Sequence, residues 1–303
     1  MSGTQYHSLF FDRLRLVELE LDEPARMPPP ETVPFDCSSM LPFARGHFQS
    51  SVQENQTFYI DSKRIPAAPP PYEDAWYEYR DKEKIFGSYV HTLGMPVAPP
   101  NSDPELLKVL EGARWTQVVT SFIETPSMGI RSNNSCSIFY LDQHGGFIAC
   151  ILTKAGGVAV GYKAQNDYRI QRSGLVATAY GTDALALFFQ GLLACKNVEI
   201  NSVCPPKALC RKHERRYGTP YVRYHTLRIL VPGTKRYVDL DETKRISTDP
   251  APLGLHLVRG HFKTYTEEHA LFGRIVGSFY WPPHLRGSLD AGVIGKHYEE
   301  LPA

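Results

Sequence analysis

An α+β fold is predicted for this chain: C-terminal helices followed by an antiparallel four-stranded meander, preceded by a β-rich, proline-punctuated N-terminal region. Three observations predict it. The 24 prolines and 17 tyrosines favour strands and extended connections over helix bundles. Two helical patterns fall between Thr182 and Tyr217, and four strand-like runs follow in series. The 303 residues are 42% hydrophobic and 21% charged, enough for a real core; global disorder, a collagen-like or coiled-coil rod and a charged tail are excluded.

Residues 1–100 form the β-rich region. Leu14, Leu16, Leu19 and Leu21 lie near an alternating pattern with Arg15, Glu18 and Glu20 between them, which predicts a half-buried strand. Pro28 to Pro30 and Pro69 to Pro71 mark extended connectors, because proline continues neither a central strand nor a helix. Trp76 to Arg80 and Ile85 to Leu93 read as two strands. Residues 101–174 form a helix-plus-hairpin region. Ser102, Pro104 and Glu105 make a capping signature before Leu106, Leu107, Val109 and Leu110. Two apolar runs around Gln143 to Gly146 have hairpin grammar.

Residues 175–303 are read as a basic α+β domain. Thr182 to Ala194 is apolar on nearly every face and predicts a buried helix. Pro206 opens a shorter helix to Tyr217, and Gly218 stands where a C-terminal glycine belongs. Tyr221 to Val231, Leu255 to Tyr265, Gly273 to Trp281 and a weaker Gly292 to Tyr298 are the four strands. The phrase Arg45-Gly46-His47-Phe48 recurs as Arg259-Gly260-His261-Phe262, a match too short to signal a repeat.

Met1 to Phe11 has no basic n-region and no apolar run of secretory length. No stretch reaches ~18 apolar residues, so a spanning helix and a membrane partner are not expected. Six cysteines, Cys37, Cys136, Cys150, Cys195, Cys204 and Cys210, are expected as reduced thiols in a cytoplasm. Cys204, Cys210 and His213 miss the spacing of zinc knuckles, so no metal and no cofactor is expected. Phosphate-binding loops, dinucleotide glycine fingerprints and nucleophile elbows are absent from the sequence.

Charge is balanced overall, 33 basic against 32 acidic residues, but unevenly placed. Lys207, Arg211, Lys212, Arg215, Arg216, Arg223, Arg228, Lys235 and Arg236 fall in one span whose only acid is Glu214. Such a stripe is the footprint of a polyanion site, since phosphate contacts supply most non-specific affinity. Helix-dipole complementation accounts for Arg215 and Arg216 alone. Tyr217, Tyr221, Tyr224 and Tyr265 could stack bases or simply form strands.

Five of the eleven histidines lie between His256 and His297. On a strand, Arg259, His261 and Lys263 alternate onto one face, and His284 and Arg286 follow in a second polar segment. Imidazoles moving a ribose-hydroxyl proton, with guanidinium stabilising the phosphorane, would make a metal-independent ribonuclease. The catalytic candidates are therefore His261, His284, Arg259, Lys263 and Arg286. Lys207, Arg211, Lys212, Arg215, Arg216, Arg223 and Arg228 are the nucleic-acid-binding candidates.

The phrases Cys195-Lys196-Asn197-Val198-Glu199, Pro205-Pro206-Lys207 and Tyr224-His225-Thr226-Leu227, with Arg259-Gly260-His261-Phe262 and His284-Leu285-Arg286-Gly287, resemble a loosely defined group of bacteriophage and prophage proteins. The resemblance covers mainly residues 180–303. It implies a phage setting, hence the host cytoplasm, and no particular activity. The expected function is a phage-type nucleic-acid-binding protein acting on RNA or single strands. The rival is a non-enzymatic assembly or host-takeover protein with a host or phage protein partner, which suits the proline-rich N-terminal half and the neutral charge.

Overall fold

The computed structural model describes residues 6–21, 26–48, 57–61, 72–93, 113–141, 169–171, 174–230, 254–258, 260–286 and 288–293. Its largest element is a seven-stranded mixed sheet. The strands are β1 (Val33–Asp36), β3 (Asp74–Asp81), β4 (Lys84–Leu93), β5 (Ala113–Thr125), β6 (Gly129–Leu141), β9 (Val198–Val203) and β10 (Tyr224–Ile229). Their order across the sheet is β6-β5-β4-β3-β1-β10-β9. β3 to β6 form an antiparallel meander, while short β1 runs parallel to both β3 and β10 and joins the two halves. One sheet thus takes strands from all three stretches of the sequence.

Each face of the sheet is covered. Ala75, Trp76, Tyr77, Glu78 and Tyr79 of β3 are all buried, as expected of a strand with packing on both sides. Tyr77, Tyr79, Phe35, Phe86, Val90 and Val119 face the apolar helix α3 (Gly181–Leu193) through Leu185, Phe188, Phe189 and Leu192. On the other face Trp76, Tyr89, Phe122 and Tyr224 pack against the single-turn helix α1 (Phe10–Leu14) through Phe10, Phe11 and Leu14. Packing there is close: a Cβ at Gly87 would overlap the Trp76 indole. A helix α2 (Leu41–Phe48) adds Leu41 and Ala44 to the α3 layer.

Glu78 lies fully buried in the α1 layer. Its Oε1 accepts from the backbone N–H of Phe10 at 2.9 Å, and its Oε2 from those of Phe11 and the Trp76 indole, both at 3.2 Å. These bonds satisfy the first orphan donors of α1. Burial nonetheless pushes the carboxyl up to about 7, with the three hydrogen bonds opposing the shift. Asp12 holds the next segment: its Oδ1 accepts from Val222 N–H at 2.9 Å, and burial raises it as well.

The fold differs from the predicted one. The strands after α3 and α4 (Lys207–Tyr217) do not make a four-stranded meander; β10 leaves them to join the large mixed sheet. The reason is partner choice. Local pattern marks a strand, but the mate of β10 is a four-residue strand containing Pro34 and nearly two hundred residues earlier. Leu14 to Leu21 is not a strand either, because Phe10, Phe11 and Leu14 bury one helical turn and the chain beyond is irregular.

Other readings hold. The strands around Trp76 and Ile85 are β3 and β4, and the buried helix is α3. α4 starts after Pro206 and ends at Gly218 in the left-handed region, φ 76°, where its N–H donates to Glu214 O. The helix expected after Ser102 and the hairpin around Gln143 lie outside the described residues.

Leu255 to Tyr265 splits into β11 (Gly254–Val258) and β12 (His261–Tyr265). β11 pairs with β14 (His284–Arg286) and, in parallel, with β15 (Ser288–Val293); β12 pairs with β13 (Gly277–Trp281). The two ladders belong to separate sheets and together make up the C-terminal arm, with Pro282 and Pro283 between β13 and β14. A further sheet joins β2 (Thr57–Asp61), β8 (Gly174–Tyr180) and β7 (Arg169–Gln171).

Candidate nucleic-acid interface

α4 is seated from one side. His213 is buried beneath it, and its Nδ1 donates to Thr219 O at 2.6 Å. The imidazole packs on Tyr221 and Tyr217 with centroids 4.0 and 4.7 Å away. Tyr221 in turn meets Tyr6, which ties the helix to the N-terminal segment. Cys210 shares the seated side. At about 3.6 residues per turn, Lys207, Arg211 and Arg215 form one row on the side turned from His213, while Lys212 and Arg216 form the next row on its flank, Arg216 standing one turn beyond His213.

All five cations are exposed. Among the described residues none of them makes an ion pair. Arg216 lies over the Tyr217 ring at 5.1 Å, leaving an aromatic face 44% exposed beside a guanidinium. Arg223, just before β10, and Arg228 on it carry the charge onward; both are exposed, and Arg228 stands opposite Glu199 of β9. Lys235 and Arg236 lie outside the described residues. His213 serves the helix seat, and burial with the neighbouring Arg223 charge lowers His225, whose Nδ1 pairs with Ser202 Oγ at 3.1 Å.

The arm is docked at the far end of β9. Asn197 Nδ2 donates to Tyr280 O at 2.7 Å, its Oδ1 accepts from Tyr280 N–H at 2.9 Å, and Lys196 N–H donates to Ser278 O. Phe262 and Tyr280, paired across the ladder, enter the α3 core beside His47 and Phe188. The opposite face presents His261 across from Trp281 and Lys263 across from Phe279, and both His261 and Lys263 are exposed. Lys263 Nζ stands 4.8 Å over the Tyr265 ring. β9 separates this face from α4 by six residues, roughly 20 Å of strand.

His284 and Arg286 are exposed on β14. His284 pairs with Val258 in one ladder and His261 with Trp281 in another, so the two histidines stand in separate sheets with Pro282 and Pro283 between those strands. The His284 Nδ1 donates to Pro282 O at 3.0 Å. Arg259 lies outside the described residues. Of the four described candidates, the structure places His261 with Lys263 on β12 and His284 with Arg286 on β14. The recurring Arg-Gly-His-Phe phrase is helical in α2 and bracketed around β12 in the arm. The two copies touch, with His47 Nδ1 donating to Gly260 O at 3.1 Å.

Tyr224 is fully buried and Tyr221 is occupied by His213, so Tyr217 and Tyr265 are the tyrosines left beside exposed cations. Cys37, Cys195, Cys204 and Cys210 are free thiols. Cys204, Cys210 and His213 do not gather; the three-ligand group found among the described residues is Glu73, Asp74 and His91. Sequence reasoning missed that group, although the tight Lys82-Glu83 turn between two strands already implied that Asp74 faces His91. Among the described residues no helix is long and apolar enough to cross a membrane. Comparison with protein-family models, curated proteins and solved structures gives no match.

Proposed function

We propose that the protein binds nucleic acid, RNA or single strands, in a phage setting within the host cytoplasm. The observation that carries this reading is the row of exposed cations on α4 without ion-pair partners among the described residues. Lysine and arginine on one helix face repel one another, and a phosphate backbone relieves that repulsion while releasing its counterions. Arg223 and Arg228 extend the track, and Tyr217 and Tyr265 offer rings beside cations for stacking. Binding is favoured over cleavage, because an acid–base pair must meet at one phosphate, and His261 and His284 stand in separate ladders.

The test is fluorescence anisotropy with a labelled single-stranded RNA, read across a salt series. Binding at low salt that falls steeply as salt rises, with the RNA recovered intact, is the expected result. No binding at ~50 mM salt, where phosphate contacts are strong, would leave a protein partner as the reading. Metal-independent cleavage to a cyclic phosphate would restore the ribonuclease.

A further inference from the structure

Asp74 opens β3, and His91 of β4 stands directly opposite. Asp74, Trp76, Tyr89 and His91 share one face of this pair. Trp76 and Tyr89 belong to the apolar layer beneath α1, and Asp74 and His91 stand at its rim with side chains 16% and 14% exposed. His91 Nδ1 lies 2.8 Å from Asp74 Oδ1, and the Tyr89 hydroxyl donates to the same oxygen at 2.5 Å. The Tyr89 and His91 rings stack with centroids 6.3 Å apart. Glu73 adds a second carboxylate, fixed to the next rung by Thr92 N–H donating to its carbonyl at 2.8 Å. One ligand atom from each of Glu73, Asp74 and His91 lies within 4.8 Å of the other two.

We infer that Glu73, Asp74 and His91 bind one divalent cation of the Mn2+ or Zn2+ class. Metal–ligand bonds of about 2.0–2.2 Å put ligands of a single ion within roughly 4.4 Å of one another, so small side-chain adjustments close this shell. One imidazole nitrogen with two carboxylates suits these ions better than Ca2+ or thiol-seeking Cu+. The Tyr89 hydroxyl orients Asp74 from outside the shell, as second-shell donors do. An Asp74–His91 pair by itself explains two of the three groups and leaves the Glu73 carboxylate beside a second anion. The inference rests on no part of the nucleic-acid reading.

The test uses the full chain and Mn2+, which competes weakly for the cysteine thiols. Loss of the aquo-Mn2+ resonance on titration should report one equivalent bound. Glu73→Gln alters an exposed side chain and leaves the Asp74–His91 pair intact, so it keeps the fold; it should weaken that binding about tenfold or more. His91→Gln should do the same. Retention of no Mn2+ at millimolar concentration, or equal affinity in wild type and Glu73→Gln, would overturn the site.

Discussion

Glu78 and the cations of α4 are charges handled in opposite ways. The Glu78 carboxylate has no exposed surface, and three N–H donors surround it. The five α4 cations are exposed, and none has an ion-pair partner among the described residues. The fold explains the first arrangement fully, since those donors belong to α1 and Trp76 and need an acceptor. It explains little of the second: the helix is seated through His213 and Cys210 against Thr219 and Tyr221, and beyond the dipole contribution of Arg215 and Arg216 its exposed cations make no ion pair to that seat. Buried charge here serves the structure, and unpaired exposed charge is available to a ligand.

The largest effect expected from this contrast is pH dependence at Glu78. Its folded value near 7 lies above the ordinary 4.5, so the folded state holds a proton between those values that the unfolded state has released. Stability is full below about pH 4.5 and falls as pH rises toward 7, by roughly 3 kcal/mol at 1.36 kcal/mol per unit. Asp12, also raised by burial, acts with the same sign. Denaturant unfolding of Glu78→Gln should show a distinctly flatter profile over that window. An unchanged profile would mean that Glu78 is not the group being titrated.

His213 tests the seat of the helix rather than its outer face. His213→Ala removes the hydrogen bond to Thr219 O and the packing on Tyr217 and Tyr221. A loss of about 2 kcal/mol is expected, one hydrogen bond plus a buried ring, measured as a lower unfolding midpoint. If stability holds, α4 is anchored by something other than this imidazole.

How far these two regions could be read from sequence follows the range of the interactions. α4 was legible because its signals are local: Pro206 before it, Gly218 after it and cations recurring at helical spacing. α3, β3 and β4 were legible for the same reason. Glu78 carried no signal, because two of its three donors come from α1, more than sixty residues away. α1 was itself misread, since one turn with Phe10, Phe11 and Leu14 buried is too short to show helical periodicity. The sheet order was hidden by β1, a short proline-containing strand whose partners β3 and β10 flank it in space and not in sequence. On the arm, His261 and Lys263 were read correctly as alternating positions of β12, while the place of His284 depended on a pairing that no local pattern encodes.

The central claim is that the outer half of α4 serves a polyanion and not the fold. The measurement that tests it most directly is the triple variant Arg211→Ala, Arg215→Ala, Arg223→Ala, assayed for both unfolding midpoint and the salt dependence of single-stranded RNA binding. Three exposed cations without ion-pair partners should cost less than about 0.5 kcal/mol each. The log–log salt slope should shrink by about 2, at roughly 0.7 for each phosphate no longer neutralised. A large loss of stability with an unchanged slope would contradict the account and return these arginines to the fold.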